Sequence, residues 1–136
     1  MTCRGIRGAV CAESNKADAI LTATRTLLER IVVANDLATN DVTSVIFTAT
    51  ADLDAAYPAR AARELGWTRV PLLCMQEMSV AGSLPRCIRV LIHWNTDRVP
   101  GEIQHVYLGA ARRLRPDLAG EDLKGQGEHS IKEETA

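Results

Sequence analysis

Apolar and polar positions recur with two different periods along this chain, and the switches between them mark out its elements. Residues 3–10 alternate with a period of two, so that Cys3, Gly5, Arg7 and Ala9 fall on one face of a strand and Arg4, Ile6, Gly8 and Val10 on the other. From Ser14 the period lengthens. Ser14 or Asn15 supplies a cap, Asp18 falls in the first turn, and Ala17, Ile20, Thr24, Leu27, Leu28 and Ile31 recur at helical spacing, which predicts one long amphipathic helix over residues 15–34. Arg25, Glu29 and Arg30 lie on its solvated face, Arg25 and Glu29 as an ordinary helix pair. Turn residues at Asn35-Asp36 and Thr39-Asn40-Asp41 precede a second strand at 44–50. After a loop at 51–56, Tyr57-Pro58 opens a short helix that Gly66 ends. A third strand covers 69–75, with Pro71 placing part of it at an edge or a bulge; a fourth starts at Cys87, between Pro85 and the boundary residues Asn95-Thr96-Asp97; a short fifth covers 105–108. From Ala119 the chain turns polar, which predicts a disordered tail over 119–136 beyond a single domain at 1–118. The fold class is α/β (α+β): a mixed five-stranded sheet with one long helix and a short helix. Two helices are too few to cover both faces of such a sheet, which makes self-association reasonable.

The fourth strand carries the most informative residue. Alternation puts Cys87, Arg89, Leu91 and His93 on one face and Ile88, Val90, Ile92 and Trp94 on the other, so Arg89 shares its face with apolar groups. Burying an unpaired charge costs several kcal/mol, comparable with the whole stability of a domain. Arg89 therefore needs an anion, either a core carboxylate or an anionic ligand. Glu77, at the mouth of the third strand, is a candidate partner for Arg89 and could also hold a substrate hydroxyl. Arg7 stands among neighbours too small to cover it, beside a groove for a ligand or as an edge arginine reaching solvent. Arg60 and Arg63 share one helix face, as a solvated pair offset by Glu64 or as an anion clamp.

Composition narrows the chemistry further. With 16 basic and 17 acidic residues and a net charge of -1, the chain has no electrostatic footprint for nucleic acid or for a membrane surface. No window approaches the ~18 apolar residues of a spanning helix. Cys3, Cys11, Cys74 and Cys87 form no Cys-x-x-Cys pair, and His93, His105 and His129 make no metal-ligand cluster with them, so free thiols in a reducing cytosol are the simplest reading. A nucleophile elbow, a phosphate loop and a dinucleotide fingerprint are all absent. What remains is an arginine set, Arg7, Arg60, Arg63, Arg89 and Arg115, with Glu77, Cys74 and Tyr107. Such a set suits a substrate with more than one carboxylate and a reaction that needs positioning and charge stabilisation.

Several stretches then match a known family. Arg4-Gly5-Ile6-Arg7-Gly8-Ala9, the segment from Tyr57 to Leu65, Val70-Pro71-Leu72-Leu73-Cys74-Met75-Gln76-Glu77-Met78, the segment from Leu84 to Val90, and His105-Val106-Tyr107-Leu108 with Leu114-Arg115-Pro116-Asp117-Leu118 resemble the monofunctional bacterial chorismate mutases of the trimeric, pseudo-α/β-barrel type. The resemblance covers residues 3–118. It implies conversion of chorismate to prephenate in phenylalanine and tyrosine biosynthesis, in the cytoplasm, with no metal and no organic cofactor. It also implies a homotrimer with sites between subunits, residues 57–74 coming mainly from one chain and Arg7, Glu77, Arg89 and Tyr107 from the next.

By the same resemblance Arg89, Glu77 and Arg7 are the catalytic residues. Arg89 meets the ether oxygen, Arg7 and Tyr107 hold the side-chain carboxylate, and Glu77 and Cys74 bind the ring hydroxyl. Tyr57 packs on the ring edge; Arg60, Arg63 and Arg115 give positive potential near the entrance; Ala59, Leu73 and Leu114 complete the substrate-binding set. Tyr57 and Arg60 stand where the family often has phenylalanine and lysine. Two other functions use similar residues: an enamine or imine deaminase of the related trimeric fold, and a non-catalytic trimer that senses an aromatic-pathway acid.

Overall fold

A computed structural model describes residues 1–118, and the expected disordered tail lies outside the described residues. The elements run β1 (Thr2–Cys11), α1 (Ala17–Asn35), β2 (Val42–Ala49), α2 (Ala59–Glu64), β3 (Leu72–Gln76), β4 (Cys87–Thr96) and β5 (Val106–Tyr107), with single 3-10 turns between and after them. The five strands form one sheet in the order β3-β2-β4-β1-β5. β1 and β2 flank β4 antiparallel, while β3 lies parallel to β2 and β5 parallel to β1. The sheet is mixed, as expected, and the Arg89 strand is its centre.

One face of the sheet carries the core. Ile88, Val90, Ile92 and Trp94 of β4 are buried with Ile6, Val10, Val45 and Phe47 against Ile20, Leu27, Leu28 and Ile31 of α1. Gly8 lets the helix sit this low: a Cβ there would lie 2.9 Å from Ile31 Cδ1 and 3.0 Å from the Val106 carbonyl oxygen. The end of α1 is fixed by Asn35, fully buried, whose amide donates to the Ile31 and Gln104 carbonyls and whose oxygen accepts the Gln104 N–H at 2.9 Å. α2 ends as expected at Gly66 (φ +96°), where the N–H groups of Gly66 and Trp67 return to the Arg63 and Ala62 carbonyls at 3.0 Å.

Among the described residues no α-helix covers the opposite face; only the 3-10 turn Gly109–Arg113 packs on it, at Ala9. Register places Ile46, Thr48, Leu73 and Met75 there beside Arg7, Arg89 and Leu91, and the edge residues Leu73 and Met75 are 56% and 46% exposed.

Four local expectations need correction. Neither Ser14 nor Asn15 caps α1: the N-cap position is Lys16, without a side-chain bond, and Asn15 instead receives the Asp54 and Ala55 N–H groups and donates to Asp54 Oδ1 at 2.7 Å. Arg25 pairs with Glu64 of α2 at 3.7 Å rather than with Glu29, because α1 packs on α2 and brings a carboxylate across. β3 starts at Leu72, not residue 69; Pro71 has no N–H and meets the sheet only through its carbonyl, which accepts Val45 N–H at 2.9 Å. β4 runs on through Asn95 and Thr96 because Cys3 and Thr2 of β1 pair with them.

Candidate active site

Strand register assembles the site. Met75, Thr48, Arg89, Ala9 and Tyr107 stand in one row across β3, β2, β4, β1 and β5. Arg89 is at the middle of that row, with the small Ala9 and Thr48 on either side, so its side chain rises from the sheet without being crowded. Its partner comes from the residue after β3: the Glu77 N–H bonds to the Ala49 carbonyl at 2.9 Å, which carries the sheet register one residue further. Arg89 Nε then donates to Glu77 Oε2 at 2.7 Å, and Thr48 Oγ1 donates to the same oxygen at 2.9 Å.

The ion pair is not sealed. Arg89 is 32% exposed and Glu77 20%, and among the described residues no partner is recorded for the two terminal nitrogens of the guanidinium. The Arg89 hydrogen bond holds the Glu77 carboxyl below its ordinary value, Thr48 adds to this, and burial opposes it. Glu77 raises Arg89 in return, so both groups stay charged.

Arg7, Thr48, Glu77, Arg89 and Tyr107 line one cavity of about 460 Å3. An adjoining hollow of about 400 Å3 is lined by Glu77, Arg89, Cys87 and Leu114 with the loop after Met78. Tyr107 is buried in a small cluster with Ala9, Cys87, Ala111 and Leu114, and burial pushes its phenol up against the opposing pull of Arg7, Arg115 and Arg89. Arg7 is anchored from behind: its N–H donates to His105 Nδ1 at 2.9 Å. Burial first, and then the charges of Arg7 and Arg115, hold the His105 ring below its usual value, which keeps Nδ1 an acceptor. Arg115 forks onto Asp117, with Nε and Nη2 at 3.0 and 2.7 Å from its two oxygens.

The remaining expected residues gather elsewhere. Tyr57, Arg60, Arg63 and Cys74 line a separate cavity of about 600 Å3. Cys74 pairs in register with the buried Phe47, so it faces the helix layer, away from Arg89. Its thiol is pushed up by burial, with an Ala59 backbone hydrogen bond and the Arg63 charge opposing. Arg60 Nε bonds to Glu64 Oε2 at 3.0 Å, so the Arg60 and Arg63 pair is offset as expected. Ala59 is buried at the start of α2, whereas Tyr57 is 72% exposed. Leu73 stands on the open face of the sheet, opposite Ile46.

Among the described residues of one chain, then, Arg7, Glu77, Arg89 and Tyr107 share one cavity and Tyr57, Arg60, Arg63 and Cys74 another, with Arg89 and Cys74 on opposite faces of the sheet and Leu73 on the Arg89 face. A groove of about 800 Å3 along α1 contains Tyr107 alone of the expected set. Among the described residues no group of His, Cys, Asp and Glu could hold a metal ion, and no helix is long and apolar enough to cross a membrane. Two positioning residues escape sequence reasoning, Thr48 and His105. Thr48 could be placed on β2, but its position beside Arg89 depends on which strands pair. For His105 no sequence signal pointed to Arg7.

Residues 3–118 match the family model for chorismate mutase type I. The chain is 53% identical over 116 residues to chorismate mutase AroH of Thermus thermophilus, covering 85% of this chain and 95% of that protein. Chorismate mutase AroH of Bacillus subtilis is 48% identical over 120 residues, covering 88% and 94%. Among solved structures, a chorismate mutase from Clostridium thermocellum superposes with a TM-score of 0.79 at 50% identity, covering 80% of this chain and 97% of that one.

Proposed function

The chain belongs to the type I chorismate mutase family, and we propose that it performs the reaction of that family in the cavity above Arg89. The protein is an isomerase of aromatic amino-acid biosynthesis that converts chorismate to prephenate. Chorismate is a dianion whose enolpyruvyl ether must fold over its ring before one C–O bond breaks and one C–C bond forms. Both reacting ends belong to one molecule, so the site needs no nucleophile. It has to select the folded conformer and meet the negative charge that grows on the ether oxygen.

The observation that carries this reading is the guanidinium of Arg89, fixed through Nε by Glu77 while its terminal N–H groups stay available in a cavity that also holds Arg7 and Tyr107. Arg89 donates to the ether oxygen as the C–O bond opens. Arg7 and Tyr107 hold the side-chain carboxylate, and Glu77, with Cys74 of a neighbouring chain, binds the ring hydroxyl. Leu114 closes the wall beside Arg89. Tyr57 packs on the ring edge with Ala59 behind it, Leu73 adds an apolar contact from the open face, and Arg60, Arg63 and Arg115 raise the positive potential at the mouth.

A homotrimer with shared sites is supported by two features. Arg7, Glu77, Arg89 and Tyr107 occupy a different cavity from Tyr57, Arg60, Arg63 and Cys74, and the face without an α-helix ends in the exposed Leu73 and Met75 at the β3 edge. Free thiols at Cys3, Cys11, Cys74 and Cys87 fit work in the cytosol.

The test is loss of chorismate absorbance on adding purified protein, with prephenate as the product; no conversion would overturn the reading. Arg89→Ala should lower kcat by about 10²–10³, the usual cost of removing a preorganised donor. Arg89→Lys, which keeps the charge and loses the fork, should rescue only part of it. Unchanged kcat with a raised KM would remove Arg89 from the ether oxygen.

A further inference from the structure

Cys11 and Cys87 stand directly opposite each other where the last residue of β1 meets the first of β4. Backbone bonding fixes the kind of pair they make. The Ala12 N–H donates to the Arg86 carbonyl at 2.8 Å, so the next pair along, Cys11 with Cys87, is a non-hydrogen-bonded one. Cys87 agrees: its N–H donates to Thr50 Oγ1 and its carbonyl accepts the Thr50 N–H, both at 3.0 Å, turned away from β1. Pairs of this kind bring their Cα atoms to about 4.5 Å with both side chains leaving the sheet on the same face. That lies within the roughly 4.4–6.8 Å that a disulfide spans.

The chemistry of the two thiols differs in a way that suits exchange. Cys11 accepts a hydrogen bond from the Cys87 thiol and feels the Arg86 charge, which together hold it below the ordinary thiol value against burial and Asp52. Cys87 is pushed up by the same hydrogen bond and by burial. Cys11 is thus the nucleophile and Cys87 the resolving thiol. Access matches these roles, since Cys11 is partly exposed and lines the large groove along α1 while Cys87 is buried. Neither of the other cysteines has this arrangement: Cys3 stands opposite Asn95 and Cys74 beside Phe47.

We propose that Cys11 and Cys87 form a redox-reactive pair that a small-molecule disulfide converts to an intramolecular disulfide, tying β1 to β4 beside the row that holds Arg89. The Cys11 thiolate attacks one sulfur of the oxidant, forming a mixed disulfide and releasing one thiolate. Cys87, losing its proton, attacks the Cys11 sulfur and displaces the second. Two protein thiols are oxidised, one external disulfide is reduced to two thiols, and the two protons end on those thiols.

The experiment treats the folded full-length protein with oxidised glutathione, unfolds it in denaturant containing N-ethylmaleimide so that every remaining thiol is blocked, the buried Cys87 included, and maps the peptides by mass. The expected result is a Cys11–Cys87 cross-link, loss of alkylation at those two of the four cysteines, and full reversal by dithiothreitol. Cys11→Ser should abolish the cross-link and leave Cys87 unmodified by glutathione. Because wild-type protein carries the primary result, the test does not depend on a variant folding. Persistence of four alkylated cysteines, or glutathione stopping as a stable adduct on Cys11 without a cross-link, would overturn the proposal. The readout is the bond rather than turnover, so its failure would leave the chorismate mutase reading untouched.

Discussion

If each site is built from two chains, mutants that damage opposite halves should repair one another. The two groups lie on opposite faces of the sheet, Arg7, Glu77 and Arg89 in one cavity and Arg60, Arg63 and Cys74 in another. One parent is Arg89→Ala. The other is the double change Arg60→Ala with Arg63→Ala, which removes both cations from the second cavity. A charge-assisted hydrogen bond is worth about 1.5–3 kcal/mol, so losing one such bond from each arginine costs about 3–6 kcal/mol, or at least about 10² in kcat/KM. Each parent refolded alone should therefore retain about 1% of wild-type activity or less. In a cyclic trimer assembled at random from equal parts, one wall is intact with probability one half and the facing wall with probability one half, so about one site in four is wild type in both halves. The mixture should reach about a quarter of wild-type kcat/KM, some 25-fold above either parent. The parents are unfolded together, refolded and assayed by loss of chorismate absorbance, with mixed trimers verified by mass. Activity at the average of the parents would show that both groups serve the same chain's site.

Three further outcomes follow from single contacts. Thr48→Val keeps the shape but removes one of the two donors to Glu77 Oε2; thermal denaturation should report about 0.5–1.5 kcal/mol lost, at the low end because the pair is partly open. Glu77 is a carboxyl held low in the folded state, so its contribution is present above its unfolded value and lost as pH falls through its folded value; in Thr48→Val that loss should be smaller and complete at a higher pH, and an unmoved titration would refute the role of Thr48. His105 is also held low, so its contribution is fully present above its ordinary value of 6.5 and falls as pH drops below it, when protonation of Nδ1 breaks the Arg7 N–H bond; denaturant unfolding at pH 7.5 and 5.5, values chosen to bracket that transition, should show a drop that His105→Gln flattens. Gly8→Ala puts a Cβ 3.0 Å from the Val106 carbonyl and 2.9 Å from Ile31 Cδ1. The side chain can yield but the backbone cannot, so the denaturant midpoint should fall by the equivalent of about 1–3 kcal/mol, and an unchanged midpoint would refute the close fit.

Elements with a strong internal period were legible from residues alone. The stripe Ile20, Thr24, Leu27, Leu28 and Ile31 is the buried face of α1, and the alternation around Arg89 places Ile88, Val90 and Ile92 in the core as read. Signals that depend on a partner were not. Asn15 has a capping side chain but spends it on the 54–55 loop, and Arg25 prefers a carboxylate delivered by α2 to the one on its own helix. The strand boundary at Asn95-Thr96 fails for the same reason, since a waiting β1 ladder outweighs the local turn preference. At the site, the Glu77–Arg89 pair could be named from chemistry because an acid at the mouth of an apolar strand has few other uses. Thr48 and His105 could not be, because hydroxyls and imidazoles acquire roles only from neighbours that the order β3-β2-β4-β1-β5 supplies.

The two readings of the central arginine, core salt bridge or anion site, turn out to be compatible. Glu77 offsets the cost of holding Arg89 among apolar groups, but it takes only Nε and leaves the pair partly open. A guanidinium already oriented by one bond needs no reorganisation when charge appears on a nearby oxygen. Formal charges fit the same picture. In the Arg89 cavity, Arg7 and Arg89 against Glu77 leave one positive charge. In the other, Arg60 and Arg63 stand against Asp54, but Glu64 already pairs with Arg60 at 3.0 Å, just as Asp117 pairs with Arg115. The net positive charge therefore sits in the Arg89 cavity. Chorismate and prephenate carry the same two carboxylates, so this charge favours binding of substrate and product alike and cannot by itself accelerate the reaction. In the proposed mechanism the selectivity for the transition state comes from the contact at the ether oxygen, whose charge changes as the bond breaks, and that contact is the role proposed for Arg89.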